Sequence, residues 1–276
     1  MKVGMFTSGY QRNPLEHCFI DAKRFGYDFI ELWGGRPHAY AYDLKKGEIE
    51  EVKRLIKKYD MPVLGFTPEH NAYPYNFMIG SEIQWQDAMD YLTVCLEMTK
   101  EMGAEYMLIS PAHAGYLTTY DTMWERLEKS IKYLTEVAER LDVKLVVETL
   151  TPYETNVFKS ANDAVYLLDK IKSDNLVTMC DLVPPFVQHE SIMAYIDKLQ
   201  DKMYHFHIID GAQGTDSHIV PGEGNIPLPE LFKELKYVGY DKTITLELVT
   251  GYINEPRLYA RRAIDRVREY MAQAGY

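Results

Sequence analysis

Short apolar runs alternate with longer amphipathic stretches along the whole chain. The runs are VGMFTS (Val3 to Ser8), FIELW (Phe29 to Trp33), PVLGFTPE (Pro62 to Glu69) and YMLISPAH (Tyr106 to His113). They continue with KLVVETL (Lys144 to Leu150), LVTMCDLV (Leu176 to Val183), MYHFHIID (Met203 to Asp210) and TITLELV (Thr243 to Val249). Leu145, Val146 and Val147 are apolar at consecutive positions, the pattern of a strand covered on both faces. The stretches between the runs carry a helical period. In IEEVKRLIKKY, Ile49, Val52, Leu55 and Ile56 mark one face. In TMWERLEKSIKYLTEVAERL the stripe is Trp124, Leu127, Ile131, Leu134 and Val137. The runs recur every roughly 30 to 40 residues, the size of a βα unit. Eight such units predict a single (β/α)8 barrel domain spanning residues 1–276. A doubly wound open sheet calls for a glycine-rich phosphate turn after the first strand, and TSGYQRNP is not one. No low-complexity linker breaks the rhythm.

A barrel of this kind presents its chemistry at the carboxyl ends of its strands. Four successive strands carry a metal-competent side chain near that end: Glu148 on the fifth, Asp181 on the sixth, His207 on the seventh and Glu247 on the eighth. A single carboxylate at a strand end also serves as a loop anchor or helix cap. Four in succession converge on one mouth, where the three carboxylates would repel one another without a cation. Three carboxylates and an imidazole are a hard, oxygen-rich set that suits Mn²⁺, Co²⁺ or Mg²⁺ and tolerates Zn²⁺.

Composition narrows the classes. The formal net charge of −11 argues against a nucleic-acid backbone as partner. Three cysteines, Cys18, Cys95 and Cys180, are far apart and set in apolar surroundings, which excludes a disulfide scaffold and a CxxC zinc site. MKVGMFTSGY lacks the charged and apolar regions of a signal peptide, and no apolar stretch is long enough to span a membrane. The expectation is a cytoplasmic protein acting on a small molecule, without nucleic-acid or membrane partners.

Longer segments carry a resemblance: ELWGGRPHAYA (Glu31 to Ala41), PYNFM (Pro74 to Met78), ISPAHAGYLT (Ile109 to Thr118), LTPYETN (Leu150 to Asn156), VPGEG (Val220 to Gly224) and ELVTGYINEPRLYARRA (Glu247 to Ala263). Over nearly its whole length the chain resembles the sugar isomerase and epimerase superfamily of xylose isomerase-like TIM barrels, most of all the fructoselysine 3-epimerase family. The resemblance implies one divalent metal, Mn²⁺, Co²⁺ or Zn²⁺, held by Glu148, Asp181, His207 and Glu247. It implies a ketosamine substrate whose C3 proton is removed through a metal-bound cis-enediolate. Glu148 and Glu247 would act as the two catalytic carboxylates, interconverting fructoselysine and psicoselysine, in a homo-oligomer. Ketose 3-epimerases of free sugars carry a His three residues after the strand-six Asp and an Arg six residues after the strand-seven His. Here those positions are Pro184 and Gln213.

Other residues complete the expected site. The spacing Glu148-x5-Glu154 matches a family pattern in which the second Glu bonds substrate hydroxyls. His113, Trp33 and His218 are further substrate-facing candidates. Tyr10, Tyr75 and Tyr116 follow strand ends too, though a lone aromatic more often packs in the core. Arg36 either recognises a carboxylate or orients a loop. His17, His38 and His189 read as surface or helix-cap histidines. Two other functions share the fold. One is a different sugar isomerase or epimerase, or an inosose-type dehydratase, on the same metal site. The other is a nuclease of the endonuclease IV type, to which Asp216-x-His218 lends a fragment of pattern, with Pro184 and the negative charge against it.

Overall fold

The computed structural model describes every residue of the chain except Gln213. Its strands are β1 (Lys2–Phe6), β2 (Phe29–Trp33), β3 (Val63–Thr67), β4 (Tyr106–Ile109), β5 (Lys144–Glu148), β6 (Leu176–Asp181), β7 (Met203–His207) and β8 (Thr243–Leu246). They pair in parallel in chain order, and β8 returns to β1, so the sheet closes. The expected (β/α)8 architecture is present. Helices form the outer ring: α1 (Leu15–Phe25), the short α2 (Ala41–Asp43), α3 (Ile49–Tyr59), α4 (Glu82–Glu101) and α5 (Tyr120–Leu141). The ring continues with α6 (Ala161–Lys170), α7 (Val183–Gln188), α8 (Met193–Leu199), α9 (Leu228–Tyr237) and α10 (Pro256–Ala274). Among the described residues no helix is long and apolar enough to cross a membrane.

Helix α3 coincides with the amphipathic IEEVKRLIKKY, and its buried face is Ile49, Val52 and Leu55. Helices α4 and α6 begin in capping boxes, Ser81 with Gln84 and Ser160 with Asp163, which satisfy amide groups left free at a helix start. The strands are shorter than the apolar runs that foretold them. Pro68 and Pro111 lack the amide proton a ladder needs, and the chain has left the sheet before each. The residues past each strand form the loops of the carboxyl face.

Successive side chains on a strand point to opposite faces. One set packs outward against the helices. The other fills the barrel with a separate core of Phe29, Leu64, Tyr106, Leu108, Val146, Val177 and Met179. Two glycines make room for it. A Cβ on Gly4 would lie 2.3 Å from the Phe29 ring, and one on Gly65 would lie 2.3 Å from Tyr106. The same alternation continues upward from Val146 to Glu148 and from Met179 to Asp181. The polar site is therefore the top layer of the barrel interior.

The surface reading of His38 needs correction here, and the readings left open for other residues resolve. His38 is buried, with Nε2 3.0 Å from the Asn13 carbonyl oxygen and its ring edge-on to Trp33. It is not a surface histidine, because the Arg36-to-Ala39 turn folds it under the β1 loop. Tyr10 and Tyr75 are buried in the core, Tyr10 bonded to Asp21 and Tyr75 stacked on Tyr91. Tyr116 projects into solvent. Arg36 orients a loop, gripping both oxygens of Asp43. Cys18, Cys95 and Cys180 are buried free thiols.

Candidate metal centre

Glu148, Asp181 and His207 are the last residues of β5, β6 and β7, and Glu247 directly follows β8. Asp181 and His207 pair in register across β6 and β7. One ligand atom from each of the four can be chosen so that all lie within 4.8 Å of one another. His207 Nδ1 stands at the middle of the group, 2.8 Å from Glu247 Oε2, 3.5 Å from Glu148 Oε1 and 4.0 Å from Asp181 Oδ2. The Val183 amide, at the start of α7, donates to Asp181 Oδ1 at 2.7 Å and turns the other oxygen toward the centre. His218 reaches in from the β7–α9 loop, its Nε2 3.1 Å from Asp181 Oδ2 and 3.6 Å from Glu247 Oε2.

Protonation follows from burial and crowding. Burial, reinforced by Glu247 and Asp181, pushes the Glu148 carboxyl well above the usual range. Burial also opposes charge on His207, but Glu31 and Glu247 outweigh it and hold the imidazole well above its ordinary value. For His218, burial is likewise overcome by Asp181 and Glu247, and its pKa rises to about 10. Three carboxylates are being shared among too few positive groups. The donor set, its convergence and this shortage fit a single divalent cation held by Glu148, Asp181, His207 and Glu247.

Directly beneath lies a second polar layer that sequence reasoning missed. Glu31, in the middle of β2, is fully buried. Its Oε1 accepts from His207 Nε2 at 3.0 Å and Thr67 Oγ1 at 2.8 Å. Its Oε2 accepts from Tyr106 Oη at 2.9 Å and His205 Nε2 at 3.1 Å. Burial alone would raise its pKa, but His207 and His205 draw it well below the carboxylate range. The signal was present in FIELW: a carboxylate inside an apolar run needs a partner as much as Glu148 does.

A cleft of about 300 Å³ opens above the four candidate ligands. Glu154, Trp33 and His218 line it, as does Pro184. Glu154 is held by Thr151, whose hydroxyl donates at 2.9 Å. Burial, with Asp216 adding to it, lifts the carboxyl to about 7. His113 does not line the cleft. It is exposed, between buried Ala112 and Ala114, and its Nδ1 accepts the Gly115 amide proton. Ser110, Asn71 and the buried His70 occupy that wall instead. Gln213 lies outside the described residues. The loop carrying His218 is folded round Asp210, whose carboxylate accepts amide protons from Gly211, Gly222, Gly224 and Ile226. VPGEG thus feeds a side chain of the protein itself, and Gly222 has a left-handed φ of 88°.

Comparison with known proteins agrees with this architecture. The family model described as xylose isomerase-like TIM barrel matches residues 19–270. Fructoselysine 3-epimerase of Escherichia coli O157:H7 is 50% identical over 273 residues, which cover 99% of each chain, and the protein of that name from Shigella flexneri matches equally well. Among solved structures, D-psicose 3-epimerase from Clostridium cellulolyticum H10, crystallised with D-tagatose, superposes with a TM-score of 0.79. That match covers 98% of this chain and 99% of the other at 19% identity, a likeness of fold.

Proposed function

The chain belongs to the xylose isomerase-like TIM barrel family, and from that premise we propose that it is a metal-dependent carbohydrate 3-epimerase acting on a ketosamine, interconverting fructoselysine and psicoselysine. The observation that carries the substrate is the end-to-end 50% identity with fructoselysine 3-epimerases. The chemistry rests on the four converging strand-end residues.

Glu148, Asp181, His207 and Glu247 would hold the cation, with Mn²⁺ or Co²⁺ suited to the donors and Zn²⁺ tolerated. When bound, it supplies Lewis acidity that stabilises negative charge on neighbouring substrate oxygens as a proton leaves. Glu148 and Glu247 come from strands separated by β6 and β7, so they address a substrate carbon from different sides. One takes the C3 proton as general base and the other returns a proton to the opposite face, which inverts the centre. In the reverse direction the two exchange roles. Glu154 bonds substrate hydroxyls from the side of the cleft, with Thr151 fixing its orientation. Trp33 offers an apolar wall, its indole nitrogen already donating to Glu69, and His218 closes the cleft over Asp181. With Pro184 in the wall, no imidazole projects from that position. The working form is a homo-oligomer. Tyr73, Ile83, Tyr116 and Leu117, exposed on loops of the carboxyl face and the start of α4, offer apolar surface for it.

The test is fructoselysine incubated with Mn²⁺-loaded protein in D₂O and followed by NMR at C3. Loss of the C3 proton together with growth of a second epimer supports substrate and mechanism at once. A C3 that stays protonated while the protein holds its metal rejects the substrate.

A further inference from the structure

Glu31 is absent from the cleft wall, yet it is the most heavily bonded carboxylate near the centre. A carboxylate has about four acceptor sites, and Glu31 fills them with four donors, two on each oxygen. Rotating it would break several bonds together in a place water cannot reach. Its partners are equally fixed. His205 Nε2 donates to Glu31, since a carboxylate only accepts, and Thr243 Oγ1 engages the other ring nitrogen, Nδ1, at 2.8 Å. The His207 ring stacks on Phe6 and meets His205 edge-on.

A neutral imidazole has one N–H, and the partner of one nitrogen decides what the other can do. We propose that Glu31 is a positioning residue for the metal centre. By taking the His207 Nε2 proton as its hydrogen bond, it selects the tautomer whose Nδ1 lone pair faces Glu148, Asp181 and Glu247. The inference rests on the metal-site reading above, and Glu31 takes no part in bond-making. Glu31, His205 and His207 also stand at metal-ligand spacing among themselves. All four acceptor sites of Glu31 are already engaged, however, so this lower group reads as the support of the upper one.

Glu31→Gln tests it. An amide keeps one acceptor oxygen and turns an NH₂ toward two of the four donors. Mn²⁺ affinity, measured by calorimetric titration, is expected to fall about 10- to 100-fold. Tyr106→Phe removes one donor from the oxygen that does not touch His207, and should leave Mn²⁺ affinity near wild type; an equal loss there would assign the effect to general core damage and overturn the proposal. A second readout needs no variant. In Zn²⁺-loaded wild type, ¹⁵N spectra of the imidazoles should show His207 protonated at Nε2; protonation at Nδ1 overturns the proposal even if Glu31→Gln fails to fold. Folded Glu31→Gln with unchanged affinity also overturns it. Wild type that binds no divalent ion removes the metal-site reading itself, a different result from the loss of Glu31 alone.

Discussion

Two anionic layers sit one above the other inside the barrel, and they are built on opposite terms. In the lower layer the single carboxylate of Glu31 meets four donors from Thr67, Tyr106, His205 and His207. In the upper layer the carboxylates of Glu148, Asp181 and Glu247 share His207 Nδ1 and His218. The lower layer's carboxylate is fully buried, while the upper layer opens to the cleft, with Glu247 part-exposed. One is complete as folded, and the other is short of positive charge. A buried carboxylate is thus not by itself a mark of function. The mark is a carboxylate whose demand the protein leaves open, and the closed layer beneath holds the open one in place.

The contrast can be broken most forcefully in the upper layer. Glu148→Gln or Glu247→Gln should lower C3 proton exchange by on the order of 10²- to 10⁴-fold, even in protein that retains metal, as measured by deuterium uptake. Full exchange in either variant would remove the two-base mechanism.

Stability should respond in the reverse sense. Without metal, Glu148→Gln relieves a crowded carboxylate and should leave the denaturation midpoint unchanged or higher. Glu31→Gln strands buried donors and should destabilise by about 1–3 kcal/mol for each one left unpaired. Equal losses in urea titrations would erase the distinction between the layers. Metal should follow the same division. Adding Mn²⁺ at about 100 times its dissociation constant should stabilise wild type by about 2.7 kcal/mol, and a chelator should reverse it. A variant lacking both Glu148 and Glu247 should show no such gain.

A smaller effect concerns Glu154 at the rim. Its carboxyl is raised from 4.5 to about 7, mainly by burial. The folded state therefore binds this proton more tightly than the unfolded chain does. Its contribution to stability is full below about pH 4.5 and is lost as pH rises through about 7. Glu154→Gln should flatten that part of the stability–pH curve, and an unaltered curve would place the residue in open solvent. The smallest effect belongs to His113. Exposed and outside the cleft, it should be replaceable by Ala without change in turnover.

Much of this was legible in the chain because it rests on short-range pattern. Apolar runs mark strands, stripes such as Ile49, Val52 and Leu55 mark helices, and their alternation specifies the barrel. The candidate ligands were legible for a related reason: strand ends in a barrel share one mouth, so position along each run foretells convergence. Glu31 was hidden because its partners lie 36, 75, 174 and 176 residues away in sequence. No local period records such a contact. His113 misled for the opposite reason, since it closes an apolar run but lies past the end of β4 at Ile109, beyond Pro111 in the loop. His38 misled because its burial is decided by how the β2–α2 loop folds back on Asn13, a contact that no local pattern records.

The carboxylate of Asp210 has a consequence for how tightly a substrate can be held. Four amide protons from Gly211, Gly222, Gly224 and Ile226 point at it, and the Asp210 backbone pairs with Ile219, next to His218. The conformational entropy of bringing His218 to the cleft is thus spent during folding and is not drawn from the binding energy of each arriving ligand. Affinity at this rim should carry little ordering cost, with the modest temperature dependence of a wall that is already standing.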